Sequence, residues 1–275
     1  MKPFENHIKS WSQKQLVVLF VVALLVFTVG RWDMQSWVQS RLDTAILQSG
    51  LNIDYEDLRL RGLSLQLRGV NVALADMPHP MALDMAQIAL TWSSLWHGAV
   101  QLQAENTWLQ ATTNISLNDG AIDVQDLEVQ CDVAQAQAWY GAAMSLPFSV
   151  LGQLHVAGNM AIDKTTGIAQ TADLKATLIS ASVAMMQQHY ALGDYALVWQ
   201  LHEQVGDWLL SGGEQVVVEG KGVVNVTSSM PMQWPLTGAV DMTAGAESPL
   251  VSLLPQSGQH ITLAGTLGAP RWTVR

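Results

Sequence analysis

The hydrophobic positions of this chain change their period twice. Leu16 to Gly30 (LVVLFVVALLVFTVG) is an apolar run without a single charge, which predicts a helix held in an apolar medium. Beyond it Met34, Val38, Leu42, Ala45 and Ile46 recur at spacings of three and four until Gly50. That pattern fits a short amphipathic helix, or equally a bent continuation of the first. From residue 53 the period becomes two. Leu58, Leu60, Leu63, Leu65, Leu67, Val70, Val72 and Leu74 alternate with Arg59, Arg61, Ser64, Gln66, Arg68, Asn71 and Ala73, and the phase slips at Gly62 and Gly69, as a bulge or a turn would make it. The alternation returns at Ile115/Leu117, Ile122/Val124, Leu127/Val129, Leu154/Val156, Leu174/Ala176/Leu178, Leu197/Trp199/Leu201, Val216/Val218, Val224/Val226, Val240/Met242 and Ile261/Leu263. Turn signals separate these runs: Asn118-Asp119-Gly120, Lys164-Thr165-Thr166-Gly167, Gly193-Asp194 and Gly212-Gly213.

The pattern predicts a mainly β protein: an N-terminal transmembrane helix, then an antiparallel, curved or groove-like β-sheet with one or two short helices. Val133 to Ala143, rich in Ala and Gln, is one helix candidate, Pro249 to Leu254 could hold a helical turn, and Pro78-His79-Pro80 marks a loop. Alternation fits a closed sandwich or barrel as well as an open sheet. An open sheet would keep an apolar groove on its concave side. Candidate residues for that groove, or for a core, are Leu58, Leu60, Leu63, Leu65, Leu67, Val70 and Val72, with Trp92 and Trp96. The simplest division is a cytoplasmic tail over 1–15, a membrane helix over 16–31, an amphipathic helix over 32–50 and one β-rich domain over 51–275.

At 1.5 Å per residue the apolar run covers roughly 22 Å, so flanking residues must complete a span of the bilayer core. Leu16, Val17, Val18, Leu19, Phe20, Leu24, Leu25 and Phe27 would form the anchor, with Trp11, Trp32 and Trp37 at the interfaces. A cleaved signal peptide has a run of this length too. It needs small residues at its cleavage site, and Phe27-Thr28-Val29-Gly30-Arg31-Trp32 supplies no such pattern. Lys2, Lys9 and Lys14 precede the run against Glu5 alone, which places the N-terminus in the cytoplasm and the bulk of the chain outside. In a bacterium that means a single-pass inner-membrane protein with a periplasmic domain.

Charge sharpens this picture. The chain holds 13 Lys+Arg against 23 Asp+Glu, and only 13% of its residues are charged, about half the usual share. No Lys or Arg occurs between Arg68 and Lys164. Nucleic acid is thereby excluded as a partner, because phosphate binding depends on clustered Lys and Arg. Past residue 31 there are 9 basic and 22 acidic residues, a balance of −13 for the exported part. The strands take their polar positions from Gln, Thr, Ser and Asn instead. The single Cys131 cannot form an internal disulfide.

Chemical motifs are missing. The seven histidines show no ligand spacing and no neighbouring cysteine. Asn118 to Glu128 is acidic but breaks the spacing of a calcium loop, which leaves a hairpin with acidic turn residues. No G-x-S-x-G or S-x-x-K occurs, and Gly220-Lys221-Gly222 between two Val pairs reads as a strand bulge. These absences predict a protein that is not an enzyme and uses no cofactor. Eleven tryptophans, among them Trp108, Trp199, Trp208, Trp234 and Trp272, fit core packing or the rim of an apolar groove.

The order of features resembles two related families. Arg41-Leu42-Asp43, Ser49-Gly50-Leu51-Asn52-Ile53, Leu63 to Val72 (LSLQLRGVNV) and Met85 to Gly98 (MAQIALTWSSLWHG) are similar to the opening of AsmA-like proteins. The short chain, the Trp92/Leu95-Trp96/Gly98 cluster and the ending Ile261 to Trp272 (ITLAGTLGAPRW) look more like the type II secretion system protein N family. The likeness covers roughly residues 10 to 115 and the last fifteen. It implies an inner-membrane protein with a periplasmic β-rich domain. For the secretion family it implies an accessory working through contacts with other secretion-system proteins; for the AsmA-like relatives, an open groove that carries phospholipid. Neither family supplies catalytic residues.

Overall fold

The computed structural model describes residues 35–48, 52–73, 79–90, 99–118, 120–140, 149–185, 188–245 and 258–274. The expected membrane anchor, Trp92, Trp96 and the Pro249–Leu254 turn lie outside the described residues. The chain divides into two compact units, Met1–Asn52 and Ile53–Arg275. In the first, residues 35–48 form helix α1 with Val38, Leu42 and Ile46 half-buried and every other position exposed. The Arg41 guanidinium lies 5.6 Å from the Trp37 ring centroid, a cation–π distance. Among the described residues no helix is long and apolar enough to cross a membrane.

The second unit is a meander. Its strands are β1 (Asn52–Asp54), β2 (Asp57–Arg61), β3 (Ser64–Ala73), β4 (Met81–Ala89), β5 (Ala99–Glu105), β6 (Leu109–Asn118), β7 (Ala121–Asp132), β8 (Ser149–Asp163), β9 (Ala169–Met185), β10 (Gln188–His202), β11 (Val205–Gly212), β12 (Val216–Asn225), β13 (Leu236–Ala244), β14 (Gln259–Thr266) and β15 (Ala269–Val274). They form one antiparallel sheet that takes up 72% of the described residues, which makes the protein mainly β as its alternation predicts. Each strand pairs with its sequence neighbour, except that β1 and β2 both lie along β3 and share one edge. Among the described residues no ladder joins β15 back to that edge, so the sheet is not a closed barrel.

Register puts the apolar residues of successive strands side by side. Leu60–Leu65–Ile88–Leu102 cross β2 to β5, and Val129–Val156–Ala176–Leu197–Leu210 cross β7 to β11. Their neighbours on the opposite face are Gln66, Gln87, Gln103 and Thr112 near one edge and Lys175, Asp207 and Lys221 further on. The period of two therefore holds across the sheet.

Strands of 15 and 17 residues in β8, β9 and β10 are far longer than the usual five or six. Bulges break them up. One row runs through Gly152 in β8, Ser180 in β9 and Gly193 in β10, ending at Gly212 beside Asp194. Asp194 Oδ1 accepts the Ser180 amide at 2.7 Å, which holds Ser180 at φ +53. A second row passes Asn114, Asp126 and Gly158, where Asn114 donates to Asp126 at 3.1 Å and Asn159 Oδ1 accepts the Asp126 amide at 2.9 Å. Aligned bulges sharpen twist and bend a sheet. The dipeptide Gly193-Asp194, expected as a turn, is thus a bulge inside β10. Gly220-Lys221-Gly222 is the reverse case: expected as a bulge, it lies in unbroken register with both neighbours.

Helix α2 (Val133–Tyr140) follows β7 directly. Asp132 Oδ1 caps it by accepting the Gln135 amide at 2.9 Å. Trp139 stands 6.1 Å from Trp108 and donates its indole N–H to the Pro80 carbonyl at 3.3 Å, so α2 joins the β5–β6 turn to the start of β4.

Candidate functional site

Of the residues proposed for a groove or a core, the described ones fall on both faces of the β2–β3 edge. Leu58 pairs with Leu67 and Leu60 with Leu65; Leu58 and Leu67 are buried, Leu60 and Leu65 half-buried. Leu63 is 47% exposed in the β2–β3 turn. Past Gly69, at φ +59, Val70 and Val72 lie opposite Leu83 and Met81. The regular strand β4 sends Leu83 to the side away from Ala86 and Ile88, so Val70 and Val72 part company with Leu65 and Leu67. Burial here is shallow in extent: between Leu83 and Ala169 no described residue is buried.

Depth lies in the later strands. Leu201, Trp208, Val224, Val226, Trp234, Val240, Ala169 and Ala172 form the core. Beside them is a partly open cavity of about 430 Å³, lined by residues of β8 to β14, among them Val156, Leu174, Leu197, Trp199, Leu236 and Leu263. With strands about 4.8 Å apart, a flat sheet would hold β8 and β14 roughly 29 Å from each other. Both line one cavity, so this part of the sheet curls around it.

Glycines make room for the aromatic walls. Trp199 and Trp208 are cross-strand partners, and Trp208 in turn faces Gly222 and Trp199 lies beside Gly206. A Cβ on Gly222 or Gly238 would overlap the six-membered ring of Trp208, and one on Gly206 would overlap the Trp199 nitrogen. The rings therefore lie flat on bare backbone. Their indole nitrogens are buried without a hydrogen-bond partner, and no polar atom faces the cavity.

The β12–β13 connection supplies one wall of the cavity through Trp234. A 3-10 turn, Pro231–Gln233, leads into Trp234, whose ring stacks on Trp199 at 6.0 Å and whose indole N–H donates to the Ser228 carbonyl at 2.8 Å. The β14–β15 turn holds this strap in place: Leu267 N–H donates to Trp234 at 3.0 Å and Gly268 N–H to Met232 at 2.9 Å. At the far end of the strands Tyr195 donates its hydroxyl to the Val216 carbonyl at 2.8 Å, and burial pushes its pKa up.

Ionisable chemistry is sparse near the cavity. Burial, then the charge of Asp132, raises the Cys131 thiol above its usual range, which disfavours the reactive thiolate. Asp163 turns back on its own loop, and the Thr166 amide and hydroxyl lower its pKa. His260 and Asp241 pair at 2.6 Å on the exposed polar face. Among the described residues no group of His, Cys, Asp and Glu could hold a metal ion.

Set against protein-family models, curated proteins and solved structures, the chain matches none. Its own geometry carries the functional reading. Sequence reasoning named leucines and valines of β2 and β3 for a groove or a core, and Trp199, Trp208 and Trp234 for core packing or a groove rim, without joining the three tryptophans into one site. The available signal was the company of Trp199, Trp208 and Trp234 with glycines at 206, 220, 222 and 238, a size pairing that hydrophobic periodicity ignores.

Proposed function

We propose that this chain is an inner-membrane-anchored periplasmic accessory of a type II protein secretion system, acting by protein–protein contacts. The anchor reading rests on the apolar run after Lys9 and Lys14, and the secretion reading on the motifs at 41–53, 63–72, 85–98 and 261–272. One observation carries the contact reading. The middle strands β4 to β7 present an ordered apolar face, Ile88, Leu102, Ile115 and Val129, each of them only half-buried. A face of that kind is completed by something outside itself. Photo-crosslinkers placed at Ile115 and Val129 in living cells should trap components of the secretion machinery, and loss of the protein should lower export of a secreted substrate. Unchanged export with no secretion component trapped would overturn the reading.

The cavity favours a second reading, a lipid-binding module of the AsmA-like kind. Mass spectrometry of the purified full chain should then detect bound lipid, and a lipid-free preparation would count against it.

A further inference from the structure

We infer that the cavity between β8 and β14 is a receptacle for one unbranched hydrocarbon tail, entered tail first, and not a conduit for two-chain lipid. The inference rests on the lipid-binding reading and deepens it. The wall chemistry leaves only hydrocarbon: the lining is Val, Leu, Ala and Trp, and no polar atom faces the space. The two indole N–H groups that could have met a carbonyl are buried against the sheet, that of Trp199 over Gly206. A polar headgroup would therefore lose its water inside and gain nothing.

Size points the same way. A cavity of roughly 150 Å³ takes up benzene, so one of about 430 Å³ has room for a chain on the order of 14 to 17 carbons. That is one chain. The strap ending in Trp234, pinned by Leu267 and Gly268, gives the tail an apolar wall, while the headgroup stays outside in water.

The test uses the full-length chain in amphipol and saturated fatty acids of 8 to 18 carbons that carry a diazirine on the last carbon. At limiting concentration, labelling should rise about fourfold per added methylene, the factor equivalent to burying one CH₂. It should level off near 14 carbons, with adducts mapped by peptide mass spectrometry to Trp234 and Leu236. Ala176→Phe, which fills the cavity, should lower labelling at least tenfold. Leu263→Ala, which enlarges it, should move the plateau two or three carbons longer, and serves if the first variant does not fold. Adducts scattered over β2 to β6, or a plateau that ignores both variants, would overturn the inference. Equal labelling of the same residues by phosphatidylcholine with the diazirine on one of two oleoyl chains would overturn the single-tail inference and leave the lipid-binding reading standing. No labelling by either probe would remove both.

Discussion

Strands β4 to β7 and strands β8 to β14 follow the same alternation and the same meander, yet only the second group walls a cavity. In β5 and β6 the same row is built of Val100, Leu102, Ala104, Ala111, Thr113 and Ile115, with no aromatic ring and no glycine. In β10 and β11 it is built of Leu197, Trp199, Leu201, Gly206, Trp208 and Leu210. A row without rings and bare backbone to seat them has nothing to interlock across strands. A row that sets tryptophan against glycine lets neighbouring strands interlock, and together with the bulges at Gly152, Ser180 and Gly193 it lets the sheet curl until the aromatic rings bury each other. The difference also falls along the charge map. The stretch from Gly69 to Asp163, free of Lys and Arg, contains the strands whose apolar row is only half-buried, so that row lies in the part of the chain where negative charge is unopposed.

The comparison can be broken most forcefully in the curled region. Gly222→Val should cost about 3 kcal/mol or more in urea unfolding, because its new methyl groups meet the Thr237 carbonyl and the Trp208 ring. Ala104→Val in β5 should change stability by less than about 1 kcal/mol. Equal effects would erase the distinction between the two regions.

Cavity-forming substitutions should show the same asymmetry on a smaller scale. Leu201 has 0% exposure, and Leu201→Ala should lose about 3 kcal/mol, the usual cost of an emptied core site. Leu102→Ala, at a half-buried position, should lose about 1 kcal/mol. Charge on the open face should act on binding. Ile115→Asp should leave the circular dichroism spectrum and unfolding midpoint nearly unchanged while abolishing crosslinking of a partner at Val129 on the next strand; unfolding instead would show that this face is core.

The smallest effect concerns pH. The Asp163 carboxylate has a lowered pKa because the Thr166 amide and hydroxyl donate to it. Its contribution to the β8–β9 turn is therefore present above the ordinary carboxylate range and disappears as pH falls through the lowered value. The exposed position keeps the effect small. Asp163→Asn should flatten that acid-side slope in thermal unfolding and leave the midpoint at neutral pH little changed.

Much of the architecture was legible along the chain. The period of two, the turns at Asn118 to Gly120 and Lys164 to Gly167, and the helix after Cys131 all depend on local choices of residue, which act whatever the rest of the chain does. Leu65 and Val72 mark the limit of such reading. Both look like members of one stripe, and only the pairing with Ile88 and Met81 reveals that the slip at Gly69 separates them. Gly193 and Gly222 mark another: each is a glycine in a strand-like context, one a bulge and one a seat for an aromatic ring, and the difference lies in what stands on the next strand.

Alternation by itself determined that this protein is built of strands with an apolar and a polar side, since side chains one residue apart on a strand must point to opposite sides. Where that apolar face closes into a cavity, and where it stays open, was decided only in three dimensions. Closure depends on which side chains become neighbours across β8 to β14, a property of register and curl that no single strand contains.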